Sequence, residues 1–154
     1  MNRLRLLLLC LCAGLISTTI TYAEVAGGAD GREKAKKLHA EGNYNEAYDL
    51  YSALSLDAKT DEKLVAGDYR QAYSSLHQLG RINEVDAFRE KVVKVHATNW
   101  RLLWEVASTY MNGTHYGYMI SGEFYRGNHR GGGSRRNAME RDRTRAIQLM
   151  QQGM

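Results

Sequence analysis

Small and aromatic residues recur along this chain at helical spacing, and that recurrence narrows the available folds more than any single motif. Ala35, Leu38, Ala47, Tyr48, Tyr51 and Leu54 follow one another by threes and fours, broken at Gly42-Asn43. Leu64, Tyr69, Ala72, Tyr73, Leu76 and Leu79 form a second stripe, and Gly80 turns the chain. Ile82, Val85, Phe88, Val92, Val93 and Val95 form a third; Trp100, Leu103, Trp104, Ala107 and Tyr110 form a fourth after Asn99. Proline is absent, so none of these helices is broken from within. Asp30 and Asn43 are suited to cap the first two helices, the first of them beginning near Arg32. No segment alternates strongly enough to read as a strand.

The stripes also repeat on a longer period. Gly42, Tyr44, Ala47 and Tyr51 match the turn and second helix of a tetratricopeptide-type unit, with Ala35 and Leu38 on its first helix. Glycine turns the chain there, a small residue lets the helices approach, and an aromatic fills the gap. Gly80, Ile82 and Val85 repeat the frame after Tyr73 and Leu76, with Arg89 where an aromatic is expected. Ala107 and Tyr110 recur 34 residues after Tyr73 and Leu76. The expected fold is therefore all-α, about three tetratricopeptide-like helical hairpins over residues 32–154. In the third, the second helix resumes only at Ala146 and Met150, which leaves an insertion of roughly 27 residues inside the hairpin. Its bounds are about 112–137. A generic helical bundle is the simpler alternative for the same periodic residues.

Residues 1–23 read as a secretory signal peptide: Arg3 and Arg5, an apolar core from Leu4 to Ile16, then Thr21 and Ala23 at the −3 and −1 positions. The apolar run falls short of the ~20 residues that a membrane span needs. Export to the periplasm or cell envelope is expected, with residues 24–31 as a flexible lead-in. Cys10 and Cys12 both lie in the leader, so the mature chain has no cysteine for disulfides, thiol catalysis or zinc. Without Arg3 and Arg5 the net charge falls from +4 to +2, too small to favour nucleic acid as a partner.

The insertion is where the chemistry concentrates. Residues 112–137 hold seven glycines, four arginines and one acid, with Tyr116, Tyr118, Phe124 and Tyr125 interleaved. Arginine forks pair with carboxylates and phosphates and stack on aromatic rings. Phe124, Tyr125, Arg126, His129, Arg130, Arg135 and Arg136 are accordingly the candidate interaction residues, with Gly131-Gly132-Gly133 freeing backbone N–H groups. The alternative is a surface loop whose arginines pair with Glu123, Glu140 and Asp142 or with water. His115, Glu123 and His129 have no familiar metal-ligand spacing, and Ser121 and Ser134 sit in no nucleophile motif. No catalytic residue, metal or cofactor is expected. The run from Glu140 to Arg143 reads as a solvated helix face.

The runs FYRGNHRGGG (124–133), ERDRTRAIQLM (140–150), FREKV (88–92) and NWRLL (99–103) resemble the amino-terminal helical region of large bacterial alpha-2-macroglobulin-family proteins. The resemblance implies an exported, multidomain endopeptidase inhibitor that traps proteases, with this helical region ahead of the macroglobulin domains. The family's cysteine–glutamine thioester would lie far downstream, and no residue here carries it. The expected role is a protein-interaction module, a fragment of a longer polypeptide whose uncapped last helix meets a partner or downstream domain. The rival expectation is a small enzyme or anion-binding protein that uses the arginine–glycine loop.

Overall fold

The computed structural model describes residues 28–154; the expected signal peptide and residues 24–27 of the expected lead-in lie outside them, and residues 29–31 of that lead-in are helical instead of flexible. Within that span the periodic stripes form α1 (Ala29–Ala40), α2 (Tyr44–Leu56), α3 (Glu62–Gln78), α4 (Val85–Val95) and α5 (Trp100–Asn112). A 3-10 turn at Ile82–Glu84 leads into α4. Then come β1 (Tyr116–Ile120), β2 (Glu123–Arg126), β3 (Ser134–Asn137) and a last helix, α6 (Met139–Gln152). The chain is therefore mostly helical with one small sheet, and the expectation of an all-α fold is corrected on that point.

Helix boundaries follow local chemistry where a cap is available. Asp61 accepts from the Lys63 amide at 2.9 Å, and Asn99 accepts from Arg101 and Leu102 at 3.2 and 3.3 Å. Each supplies an acceptor to amides that no helical carbonyl reaches. The two expected caps differ. Asp30 lies inside the first turn of α1, where the helix dipole favours its charge, and Asn43 precedes α2 without a capping bond. Asn43 instead turns its amide towards Glu41 at 3.4 Å.

Helix α2 packs between α1 and α3, α3 reaches on to α5, and α5 lies along α6. Helix α4 bridges α2, α3 and α5. Ala35, Ala47, Val65, Tyr69, Ala72, Leu76, Val85, Val92, Leu102, Leu103, Val106, Ala107, Ala146 and Leu149 are all fully buried in one continuous core. Burial on that scale is the main favourable term holding the helices together. Polar cross-links fix the pairings: Arg32 of α1 forks onto Asp68 of α3 at 2.8–3.0 Å, and the Tyr69 hydroxyl meets Thr109 of α5 at 2.7 Å. Burial pushes the Tyr69 phenol up to about 12, so it stays a neutral hydrogen-bonding group.

Four residues of the expected apolar stripes face outward instead. Trp100 is 54% exposed and Trp104 60%, on the side of α5 away from α3, and Leu64 and Val95 are also exposed. Among the described residues no helix is long and apolar enough to cross a membrane.

Truncating Leu102 should test this core. Its side chain is fully buried at the first turn of α5, so Leu102→Ala is expected to cost about 2–5 kcal/mol. A urea titration monitored by circular dichroism would measure it; a cost below about 1 kcal/mol would place Leu102 outside the core.

Candidate functional site

The insertion between α5 and α6 folds as an antiparallel sheet in the order β2-β1-β3. Ser121 and Gly122, both at positive φ (50° and 87°), close the β1–β2 hairpin as a two-residue turn of the primed type that matches strand twist. Tyr118 pairs with Tyr125 on one side and Arg135 on the other, and Gly117 pairs with Arg126 and Arg136. Side chains alternate faces along a strand. Tyr116, Tyr118, Tyr125 and Arg135 therefore share one face, and Gly117, Phe124, Arg126 and Arg136 the other. Gly117 allows the second face to close: a Cβ there would lie 2.7 Å from the Phe124 ring.

That second face turns onto the helices through one guanidinium. Arg126 is 3% exposed. Its Nε and Nη2 donate to the two oxygens of Asp86 in α4 at 2.9 and 3.0 Å. Nη1 and Nη2 donate to the two oxygens of Asp142 in α6 at 2.7 and 2.8 Å, and Nη1 also donates to the Thr114 carbonyl. All the N–H donors an arginine possesses are thereby used. Burial works against the Arg126 charge, yet the bonds to Asp142 and Asp86 outweigh it and raise its pKa further.

Both carboxylates are equally engaged. Asp86 also accepts from Arg89 at 3.1 Å and Arg141 at 2.9 Å; Asp142 accepts from Arg141 at 3.1 Å and pairs with His115 Nδ1 at 3.0 Å. Burial alone would raise the Asp142 carboxyl, but the hydrogen bonds from Arg126, His115 and Arg141 hold it at about 2. Arg89, fully buried, extends the network to the end of α5 by donating to the Thr109 carbonyl at 2.5 Å. Its guanidinium lies over the Tyr110 and Tyr73 rings at 4.2 and 5.4 Å.

The candidate residues thus divide. Arg126 and the half-buried Phe124 belong to the inner face, with Arg141 over the Phe124 ring at 4.4 Å. Arg126 is spent on internal carboxylates and offers nothing to a ligand, which corrects its expected place in a recognition loop. Tyr125 and His129 are exposed and lie together, ring centroids 6.0 Å apart, with Tyr118 at 6.2 Å from His129. Arg135 covers the Tyr116 ring at 5.2 Å, and Arg130 and Arg136 are exposed nearby in sequence. A cleft of about 660 Å³ opens beside this group, lined by Tyr116, His115, Arg135, Arg136, Asn137 and Met139 among others. His115 and His129 have different neighbours, and among the described residues no group of three or more His, Asp, Glu or Cys side chains is placed to hold a metal.

Pairing of a loop arginine with Asp142 was the alternative expectation and is met by Arg126, whereas pairing with Asp86 was not foreseen. Asp142 was expected on a solvated face, yet it is fully buried. The hairpin had a legible signal in Ser121-Gly122 between two aromatic runs. Asp86, 40 residues before Arg126, had none. No family model, curated protein or solved structure matches the chain.

Two substitutions test the clamp. Arg126→Met strands two carboxylates and is expected to cost about 3–5 kcal/mol, with trypsin then cutting within 113–137 of the folded chain far faster than in wild type. Unchanged stability and cleavage would show that the sheet is held by other means. Asp142 has a depressed folded pKa, so its contribution is present above the ordinary value of 3.8 and is lost as pH falls towards 2. Asp142→Asn should therefore be destabilised at pH 7, by roughly 2 kcal/mol or more, with the gap to wild type closing between pH 4 and 2 in urea titrations.

Proposed function

We propose that this chain is an exported, tetratricopeptide-like protein-interaction module, the front part of a macroglobulin-like protease-trapping protein, and not itself an enzyme. The observation that carries the reading is the folded insertion. Tyr116, Tyr118, Tyr125 and Arg135 are held outward on a sheet whose other face is pinned to α4 and α6 by the buried Arg126 guanidinium. A pinned sheet loses little freedom on binding, so a partner meets a preorganised surface.

Two further features support it. Helices α1–α2 and α5–α6 pack as neighbouring pairs while α3 packs chiefly on α2, and the close-approach positions of the proposed repeat, Ala47, Val85 and Ala146, are all fully buried. The last hairpin exposes Trp100 and Trp104, which line a cleft together with Leu149, Met150 and Met154. Contiguous apolar surface of this kind suits cover by a following domain of the same polypeptide. Nucleic acid is not the expected partner, given the small net charge.

The second reading is a small-anion site. The 660 Å³ cleft with Arg135 and Arg136 on its wall favours a phosphate or carboxylate ligand.

The test is a titration of the whole chain with the polypeptide encoded directly downstream of Met154. Complex formation and a blue shift of tryptophan emission are expected, and Trp104→Arg should weaken binding more than about tenfold, as for a buried aromatic anchor. A stop codon immediately after Met154, or no complex at micromolar concentration, would overturn the proposal. Tight inorganic phosphate binding that is lost in Arg135→Ala/Arg136→Ala would transfer the cleft to the second reading.

A further inference from the structure

We propose that the outer edge of β3 accepts an extended, acidic segment of a partner as a fourth strand. The inference rests on the reading of the insertion as a docking surface and names the chemistry of what docks there.

Backbone geometry gives the first argument. In an antiparallel pair, residues alternate between bonding to the neighbouring strand and pointing both polar groups away from it. The Ala138 amide donates to the His115 carbonyl at 2.6 Å, which sets the phase of the β1–β3 pair. Arg136 and Ser134 then bond to β1, while Arg135 and Asn137 direct N–H and C=O outward. All four residues of β3 are exposed, so those outward groups face solvent. The opposite edge differs: β2 lies against the 3-10 turn, and a Cβ on Gly127, just beyond β2, would meet Ile82 at 3.2 Å. Among the described residues, β3 is the edge left open.

Charge gives the second argument and names the occupant. Arg135 and Arg136 project to opposite faces of the edge, the first over the Tyr116 ring. A strand added here meets one arginine on each face at neighbouring positions. Two consecutive acidic residues satisfy both. The same charges oppose pairing of β3 with a second copy of itself, the usual hazard of an open edge. The adjoining cleft, floored by Tyr116 and flanked by Met139, which is 45% exposed, receives the segment where it runs past Asn137. Main-chain hydrogen bonds supply affinity in this mode, and the side chains on alternate faces supply selectivity.

The experiment uses the whole chain and an acetylated, amidated decapeptide with Glu-Glu at its centre and alternating Thr and Val on either side. Titration followed by amide NMR is expected to move Arg135 and Asn137 most, with binding that weakens as salt screens the charges. Replacing Glu-Glu by Lys-Lys should abolish binding, and Arg135→Glu/Arg136→Glu should reduce it at least about tenfold. The decisive comparison is between peptides. N-methylation of the central amides removes donors without altering charge, so a strand-added peptide loses at least about tenfold in affinity. Equal binding of the methylated peptide would overturn strand addition, as would matching shifts produced by inorganic phosphate alone. Arg135→Pro, which deletes an outward N–H and is tolerated on an edge, should bind more weakly than Arg135→Ala; the methylated peptide decides the matter if that variant misfolds. Decapeptide binding without binding of the downstream polypeptide would support the strand site and sink the macroglobulin reading. The reverse pattern would sink the strand site alone.

Discussion

The placement of everything between α5 and α6 depends on a single guanidinium between two carboxylates. Arg126 donates five ways to Asp86, Asp142 and the Thr114 carbonyl, and both oxygens of each carboxylate receive at least two donors. Taking such charges out of water is costly, and attraction offsets that only when the remaining lone pairs and protons are also matched. Here they are. Arg89, Arg126 and Arg141 face the two aspartates, with His115 beside Asp142, so neither acid is left to repel the other unscreened. A lysine could not replace Arg126, because its point charge cannot reach four oxygens in one plane.

The clamp explains how a long insertion sits inside a helical hairpin without separating its helices. The chain leaves at His115 and returns at Ala138, and those two residues share a backbone hydrogen bond of 2.6 Å. To α5 and α6 the insertion is a short connection. They remain in contact along their length, and Arg145 of α6 still forks onto Glu90 of α4 at 2.7 and 2.9 Å. The extra residues cost little in closure entropy, since that term grows only with the logarithm of loop length. The cost is met within the insertion by its own sheet and by the Arg126 network.

How far the sequence could be read follows from the range of the interactions. The α2, α3 and α5 helices and the turn at Gly80 were legible because 3.6-residue stripes and turn glycines are local, although the caps expected at Asp30 and Asn43 do not form. The insertion's position was legible from the spacing between Tyr110 and Ala146. Its strands were not, beyond the turn signal at Ser121-Gly122. They are four or five residues long, and glycine occupies an inward position at 117, so the alternation of Tyr116, Tyr118 and Ile120 has no buried counterpart to reveal it. Arg126 looked like its neighbours Arg130, Arg135 and Arg136 because only its partners, 40 residues before and 16 after, distinguish it. The two tryptophans misled in the opposite direction: their spacing fits a core stripe, while burial went to Leu102, Leu103, Val106 and Ala107 instead.

Arg89 joins the end of α5 to the Arg126 clamp. It stands where the proposed tetratricopeptide-like frame would place an aromatic ring, and it is fully buried between the rings of Tyr73 and Tyr110. An aromatic side chain there would fill the volume but leave the Thr109 carbonyl, near the end of α5, without the donor that Arg89 supplies at 2.5 Å. Carbonyls in the last turn of a helix lack helical partners, and a cation is favoured beside them. Arg89 thus caps α5 a few residues before the insertion departs, and its contact with Asp86 ties that cap to the Arg126 clamp. Apolar packing could hold the sheet against the helices in several orientations. A guanidinium fork that spans two fixed carboxylates admits one, and that orientation leaves the tyrosine face and the β3 edge turned to solvent.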